Sequence, residues 1–260
     1  GEISHAERSF GDLKAGKEIG KQSNTGYDSR GTNFRVARKL SQDAKAIFGV
    51  QQTFMNDVPR THKTTDGLTW MGLSPGSERW RRLDQQRNLY YGKLKWQDLG
   101  GAFDSGIITL SLHQHEQERN RMKERTSGGD FQFFDLKDMG IKARFETDDL
   151  WGGILSYGAE WHRESLLSGG YKFDDNEIKL SDLVQGPLAA NAHYNRLAFY
   201  LSDSVKFESG WTLEPGIRFA AIRAELDRYY LKNNDVSTIQ NTESKNYNEL
   251  IGSIRASKNF

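Results

Sequence analysis

The sequence predicts an all-β protein, an antiparallel up-and-down sheet of about ten strands of the kind that closes into transmembrane barrels. Three observations predict it. Large apolar residues recur at every second position through most of the chain, the 26 glycines are scattered through segments that would otherwise have to be helices, and short and long connections alternate along the sequence.

The alternation is clearest at Asn195 to Phe219. Leu197, Phe199, Leu201, Val205 and Phe207 fall on one face of a strand, with Arg196, Ala198, Tyr200, Ser202, Ser204 and Lys206 on the other. After the turn Glu208-Ser209-Gly210, Trp211, Leu213, Ile217, Phe219 and Ala221 continue an apolar face opposite Thr212, Glu214 and Arg218. The same grammar places strands approximately at 10–17, 32–41, 44–55, 88–98, 105–117, 137–147, 151–165, 193–207, 211–227 and 246–258. Short links at Ser41-Gln42-Asp43, Asp98 to Asp104, Thr147 to Leu150 and Glu208 to Gly210 alternate with long regions near 18–31, 56–87, 118–136, 166–192 and 228–245.

A membrane barrel and a soluble β-sandwich both produce alternation, because each has one apolar and one polar face. The alternating connection lengths favour the barrel, and several strands exceed ten residues, enough to cross a bilayer on a tilted path. Trp151, Trp211, Trp96, Tyr90, Tyr91, Trp161 and Tyr200 stand near strand ends or on outer faces, where interfacial girdles sit. Pro215 is unexpected within a strand and is expected to sit at a bulge.

Composition limits the function. With 36 Lys+Arg against 35 Asp+Glu the net charge is +1, so no global field draws the chain to nucleic acid. Cysteine is absent, which removes thiol catalysis and cysteine-ligated zinc. No apolar run reaches the roughly 18 residues of a spanning helix, and a mean hydropathy of −0.75 remains compatible with a barrel, where only alternate residues meet lipid. No phosphate loop, nucleophile elbow or HExxH occurs, so no catalytic residues, resident metal or cofactor are expected and the chain reads as a non-enzyme. The start at Gly1 carries no signal sequence and reads as a cut.

"AFYLSDSVKFESGWTLEPGIRF" resembles the repeated barrel hairpin of TonB-dependent outer-membrane receptors, through Trp211, Thr212, Leu213, Pro215, Gly216, Ile217 and Arg218. Weaker similarity runs through Gly26 to Thr61, Trp151 to Ser165 and the closing "SIRASKNF". The resemblance implies a plug inside a barrel of about 22 strands. Residues 1–260 then read as one middle portion of such a barrel without a plug domain, and Phe260 as a cut rather than a terminal aromatic. It further implies an outer-membrane location, lipid contact, coupling to the TonB energy complex through the plug, and uptake of a scarce nutrient, foremost an iron-siderophore complex, with haem or cobalamin as alternatives. A complete ten-stranded barrel, or a soluble sandwich that binds a partner, is the rival from another class.

Ligand contacts are expected from long loops and the polar lumen. In "VPRTHKTTDGLTW", His62 and Trp70 belong to such a loop, with His62 able to meet a haem iron. In "ERWRRLDQQR", Trp80, Arg81 and Arg82 combine stacking with positive charge, which suits an anionic chelate. His113 and His115 share a strand face at i, i+2 without a third metal ligand nearby. Arg144, Glu160 and Tyr200, with Arg196, are expected to line the lumen. "FDDNE" concentrates carboxylates but lacks the glycine and spacing of a calcium loop.

Overall fold

The structure is a computed structural model that describes residues 1–15, 20–60, 64, 76–124, 128–148, 152–233 and 236–258. Its strands are β1 (Glu2–Phe10), β2 (Lys14–Ala15), β3 (Gly20–Lys21), β4 (Tyr27–Lys39), β5 (Ala44–Pro59), β6 (Glu78–Trp96), β7 (Ser105–Lys123), β8 (Gly129–Asp148), β9 (Ile154–Phe173), β10 (Lys179–Asp182), β11 (Asn191–Lys206), β12 (Trp211–Asn233) and β13 (Val236–Lys258). Apart from the small β2–β3 hairpin, they form one antiparallel meander in the order β1-β4-β5-β6-β7-β8-β9-β11-β12-β13, with β10 beside β9. Among the described residues no helix is long and apolar enough to cross a membrane.

The register explains the alternation. One unbroken row of cross-strand neighbours runs Leu197, Trp161, Ile141, Leu110, Gly92, Phe48, Val36 across seven strands, and every member lies on the apolar face. Among the described residues nothing covers that face. Leu110, Ile141 and Phe199 are each about half exposed, and among the described residues only Ile47, Met122, Phe173, Ala190 and Ala198 are buried apolar side chains. A soluble sandwich would bury this face against a second sheet; among the described residues the second sheet is only the two-stranded β2–β3 hairpin, and the single up-and-down sheet is the barrel arrangement rather than the sandwich.

The apolar positions occupy only part of each strand, next to the short turns: 106–112 on β7, 139–145 on β8, 155–161 on β9 and 211–221 on β12. Beyond these windows the same face turns polar, through Gln114 and Glu116, Lys137 and Asp135, Arg163 and Ser165, and Arg223 and Glu225. A tilted strand needs roughly 9–11 residues to cross a bilayer, whereas β8 and β9 have 20 each and β12 and β13 have 23 each. The surplus projects from one end. This corrects the long loops read from the sequence: 118–123, 129–136, 166–173, 228–233 and 236–245 are strand, because an antiparallel ladder satisfies backbone groups that a loop would leave to water. The first strand, expected at 10–17, is instead Glu2–Phe10, and of the remaining described residues of that span only Lys14–Ala15 is strand.

Local chemistry fixes the turn end. The Ser41 hydroxyl accepts hydrogen bonds from the Asp43 and Ala44 amides at 3.2 and 3.0 Å. In the β11–β12 turn Gly210 takes a φ of 82°, which allows its N–H to reach the Phe207 carbonyl at 3.0 Å. A single 3-10 turn at Gly101–Phe103 tucks Phe103 edge-on against Phe145 at 4.9 Å, with Trp96 and Tyr157 around them. Trp96 Nε1–H donates to the Phe103 carbonyl at 2.9 Å and the Tyr157 hydroxyl donates to the Ala102 carbonyl. An aromatic girdle at this end is therefore real, though Tyr91 and Tyr200 are on the polar face and Trp151 lies outside the described residues.

Pro215 needs no bulge. Its pairing with Ile254 on β13 is continuous, while the β11–β12 ladder lapses between Ser202↔Gly216 and Val205↔Leu213, so the missing proline N–H falls where no bond is made. Gly158 is constrained by contact rather than by φ: a Cβ there would lie 2.2 Å from the Ala143 carbonyl oxygen and 2.6 Å from Tyr200 Oη. Gly158→Val should therefore displace Tyr200 and cost about 1–3 kcal/mol, read as a lowered thermal midpoint in far-UV circular dichroism, while Gly92→Ala, with open space at its Cβ, should leave the midpoint within about 0.5 kcal/mol of the parent.

Candidate functional site

On the polar face, Glu160 of β9 gathers cations from three strands. Its carboxylate accepts a hydrogen bond from Arg218 of β12, with Lys142 Nζ at 3.5 Å and Arg196 Nε at 3.9 Å. Ala198, fully buried and directly opposite Glu160, leaves the room that these long side chains need. Tyr200 fills the slot over Gly158, which itself pairs with Arg144, and Arg144 is bonded to Glu146. Arg144, Glu160 and Tyr200, which the sequence suggested separately, thus form one cluster.

The cluster is part of a cationic wall. Within the windows where the other face is apolar, the polar face carries Arg35, Lys45, Lys93, Lys95, Lys142, Arg144, Arg196, Lys206, Arg218 and Arg255 against Asp138, Glu146, Glu160, Glu214 and Glu249. The chain's near-neutral total conceals this segregation. Only the pairing register shows which charges share a face.

Farther along, His113 of β7 lies directly opposite Asp138 of β8, and Asp138 also receives His162 Nδ1 of β9 with both carboxylate oxygens at 3.2 Å. His115, beyond the apolar window of β7, packs edge-on against Phe134 at 5.0 Å. Burial first, then the charges of Arg87 and His113, push its pKa below the ordinary imidazole value, which keeps the ring neutral and its lone pair available. Among the described residues no group of three or more histidine or acidic side chains is placed to hold a metal ion. The Asp138–His162 contact was not foreseen from the sequence, because the two residues are 24 positions apart and on different strands.

Trp80, Arg81 and Arg82 are not in a loop but on β6, at the end far from the short turns. Arg81 is buried in an ion pair with Glu78, and Arg121 of β7 bridges Glu78, at 3.3 Å, and Asp130 of β8. Arg119 joins Asp130 at 2.7 Å. Burial works against the Arg121 charge, but the Asp130 and Glu78 carboxylates outweigh it and raise its pKa. Arg81 is thus structural, a correction to its reading as a free ligand contact.

Arg79, Trp80 and Arg82, together with Arg81, line a depression of about 340 Å³ with Phe10 and Tyr27, whose rings stack at 4.6 Å. Asp12 holds this rim together by accepting the Thr25 amide at 3.0 Å and the Gly26 amide at 3.2 Å. These bonds, the Thr25 amide first, lower its pKa. Among the described residues Arg82 pairs with the exposed Asp57, at 3.4 Å. Such a pair is worth about 0–1 kcal/mol and is readily exchanged for a ligand contact. Asp174 caps its own turn by accepting the Asn176 and Ile178 amides, and Asp175 accepts the Gly128 amide, so the carboxylates of "FDDNE" serve loop structure. His62 and Trp70 lie outside the described residues.

The structure therefore places the candidate residues at three levels along the strands, divided between the two faces: Trp80 and Arg82, whose partners Met122 and Asn120 continue the row of Gln114 and Glu116, stand on the belt side, whereas Arg81, His113, His115 and Glu160 stand on the polar side. From the Arg82 pairing at Asn120 to the level of His113 is roughly 23 Å along β7, and from His113 to Thr109, in the row of Lys142 and Glu160, roughly 13 Å more.

No protein-family model matches the sequence, and no curated protein does. Solved structures do match. The copper transporter OprC aligns over 99% of this chain and 38% of its own with a TM-score of 0.72 at 11% identity. The ferric citrate transporter FecA, in the unliganded form, aligns over 92% of this chain and 34% of its own with a TM-score of 0.66 at 14% identity. The Serratia marcescens hemophore receptor HasR, in complex with its hemophore HasA and heme, gives 0.65 at 13% identity over 98% of this chain and 37% of its own. The chain thus spans little more than a third of the proteins it matches. Together with the meander, the belt and the girdle, these matches give the chain the fold of part of a TonB-dependent receptor barrel.

Proposed function

We propose that this chain forms part of the wall of an outer-membrane barrel that takes up a scarce nutrient as an anionic metal chelate, an iron-siderophore complex being the leading class. The observation that carries the reading is the two-faced wall: an uncovered apolar belt beside the short turns, backed by a face on which cations outnumber carboxylates. On this reading the belt and girdle face lipid, the short turns lie in the periplasm, and the projecting strands stand outside the cell. Trp80, Arg79 and Arg82 at the rim would meet the ligand first, and Arg144, Glu160 and Tyr200 would meet it, or a plug, inside. Such a plug would link the barrel to the TonB energy complex. The neighbouring structures named for ferric citrate, a ferric catecholate and siderophores support the ligand class.

The ten strands do not close on themselves among the described residues, since β1 pairs only with β4 and β13 only with β12. That disfavours a complete small barrel. On this reading the chain's residues provide stacking, charge and positioning, in keeping with neighbouring structures that are transporters and receptors.

Lipid exposure is tested by an arginine pair on β7. Leu110→Arg, on the apolar face, should cost about 2–4 kcal/mol near the bilayer midplane and reduce recovery in the outer-membrane fraction, whereas the neighbouring Thr109→Arg should be recovered like the parent. Equal recovery of the two variants would contradict the assignment of faces. Ligand capture is tested by titrating the detergent-solubilised chain with ferric citrate, a ferric tris-catecholate and haem, following tryptophan fluorescence. At least one ferric chelate should quench it, and Trp80→Ala and Arg82→Ala should each weaken binding about five- to tenfold, with further weakening at high salt. Haem binding alone, indifferent to both variants, would replace the siderophore reading.

A further inference from the structure

We propose that a strip of aliphatic side chains on the polar face, Leu226, Ala192, Leu166 and Leu136, seats the linear alkyl tail of an amphiphilic anion whose head group is held by Arg87. The four are consecutive cross-strand neighbours on β12, β11, β9 and β8, and the same row runs on through His115 of β7 to Arg87 of β6. Their even spacing from the charged residues of the same strands, Leu226 from Arg218, Ala192 from Arg196, Leu166 from Glu160 and Leu136 from Arg144, puts them on the face opposite the belt. They lie beyond the belt windows, so lipid does not account for them. A strand face that meets water gains nothing from leucine, and a contiguous apolar patch on such a face marks a place where something binds.

Arg87 supplies the head-group end. Its ladder partners are Thr53 on β5 and His115 on β7, and its other neighbours on this face are Gln85, Leu89, Gln51, Met55, His113 and Gln117, none of them acidic. Glu78 and Asp130 answer Arg81, Arg119 and Arg121 nearer the rim, but among the described residues no ion pair answers Arg87. Beside it, His115 lies edge-on to Phe134 at 5.0 Å, and its Nε2 is buried without a hydrogen-bond partner among the described residues, a polar atom left for the same head group. At the opposite end the row continues to Glu243, which accepts a bond from the Tyr229 hydroxyl and lies 3.4 Å from Lys245 Nζ. With a cation at one end and a carboxylate at the other, the strip fixes the direction in which an amphiphilic anion lies on it.

Dimensions decide between occupants. Neighbouring strands lie about 4.8 Å apart, so the strip from Leu226 to His115 is roughly 19 Å long and Arg87 lies roughly 5 Å farther. Each carbon of an extended alkyl chain advances about 1.25 Å, so about 12–15 carbons fill it. Toward the belt the strip is one side chain wide, because the next row carries Tyr194, Glu164, Asp138 and His113. Away from the belt it is bordered by Phe134 and the buried Ser168, whose hydroxyl accepts the Leu188 amide at 3.4 Å. A flat macrocycle would overlap Glu164 and Asp138, and a compact carboxylate would use Arg87 but leave the leucines wet. A single alkyl tail with an anionic head matches both the length and the width.

The inference rests on the proposed function, which makes this face the interior and the cargo an anion, but its test is separate. The purified chain is moved from detergent into lipid nanodiscs and dialysed to equilibrium against radiolabelled laurate, octanoate or the uncharged dodecanol, with empty nanodiscs subtracted for partition into lipid. Laurate should be retained, and octanoate, four methylenes shorter, should bind at least about tenfold more weakly. Arg87→Gln should weaken laurate about tenfold and leave dodecanol unchanged, Leu136→Asn should weaken both, and Lys137→Gln, on the other face, should change neither. Should Leu136→Asn lose its circular dichroism spectrum, Leu166→Ala and Leu226→Ala serve instead, each expected to weaken laurate about fivefold. Retention no greater than that of empty nanodiscs would overturn the proposal. So would equal binding of laurate and octanoate with displacement of both by equimolar phosphate, in favour of a small-anion site at Arg87. Recovery of the chain in the soluble fraction would instead sink the barrel reading, whatever the laurate does.

Discussion

A one-layer sheet must give its two faces to two different solvents, and every other feature of this protein follows from that constraint. Ten long strands satisfy one another's backbone groups laterally, which is what allows β-structure to enter lipid at all. The side chains then have no freedom to compromise, because the pleat sends alternate residues to opposite faces. A slip of one residue would put Lys142 and Arg144 where Ile141 and Ala143 stand, so the register is enforced by the whole belt at once.

The same constraint explains why the belt ends where it does. Past Leu112, Met139 and Trp161 the former apolar face becomes polar although the ladder continues without interruption. Beyond the membrane, pairing is still favourable for the backbone, but burial no longer rewards an apolar side chain. There the polar face can close on itself: Glu78, Arg81, Arg121, Asp130 and Arg119 bind β6, β7 and β8 together through charge. Buried networks of this kind hold geometry more than they add stability, and removing one partner leaves the others unpaired.

Much of this was legible in the sequence because period-2 alternation is local. Leu197 to Phe219 alone states the two faces, the turn and the hairpin. The parts that failed are non-local. "ERWRRLDQQR" looks like a solvated loop because its alternation mixes Trp and Leu with six charged residues, and only pairing with Met122 through Glu116 shows it to be strand. Pro215 looked like a bulge because the lapse in the β11–β12 ladder that accommodates it lies partly on the other strand. Arg144, Glu160 and Tyr200 were recognisable singly as polar residues, but their meeting depends on Gly158 and Ala198 being small, which no spacing rule reveals.

Charge compensation changes along the wall, and the direction of the change matters. At the rim, Arg81, Arg119 and Arg121 face Glu78 and Asp130, close to balance. At Glu160 one carboxylate answers three cations. At the row of Lys39, Lys45 and Lys95 there is no paired carboxylate among the described residues. Side-chain ion pairs therefore tie neighbouring strands together chiefly at the rim, while next to the short turns the wall depends on its continuous backbone ladder and on the packing of Trp96, Phe103, Phe145 and Tyr157.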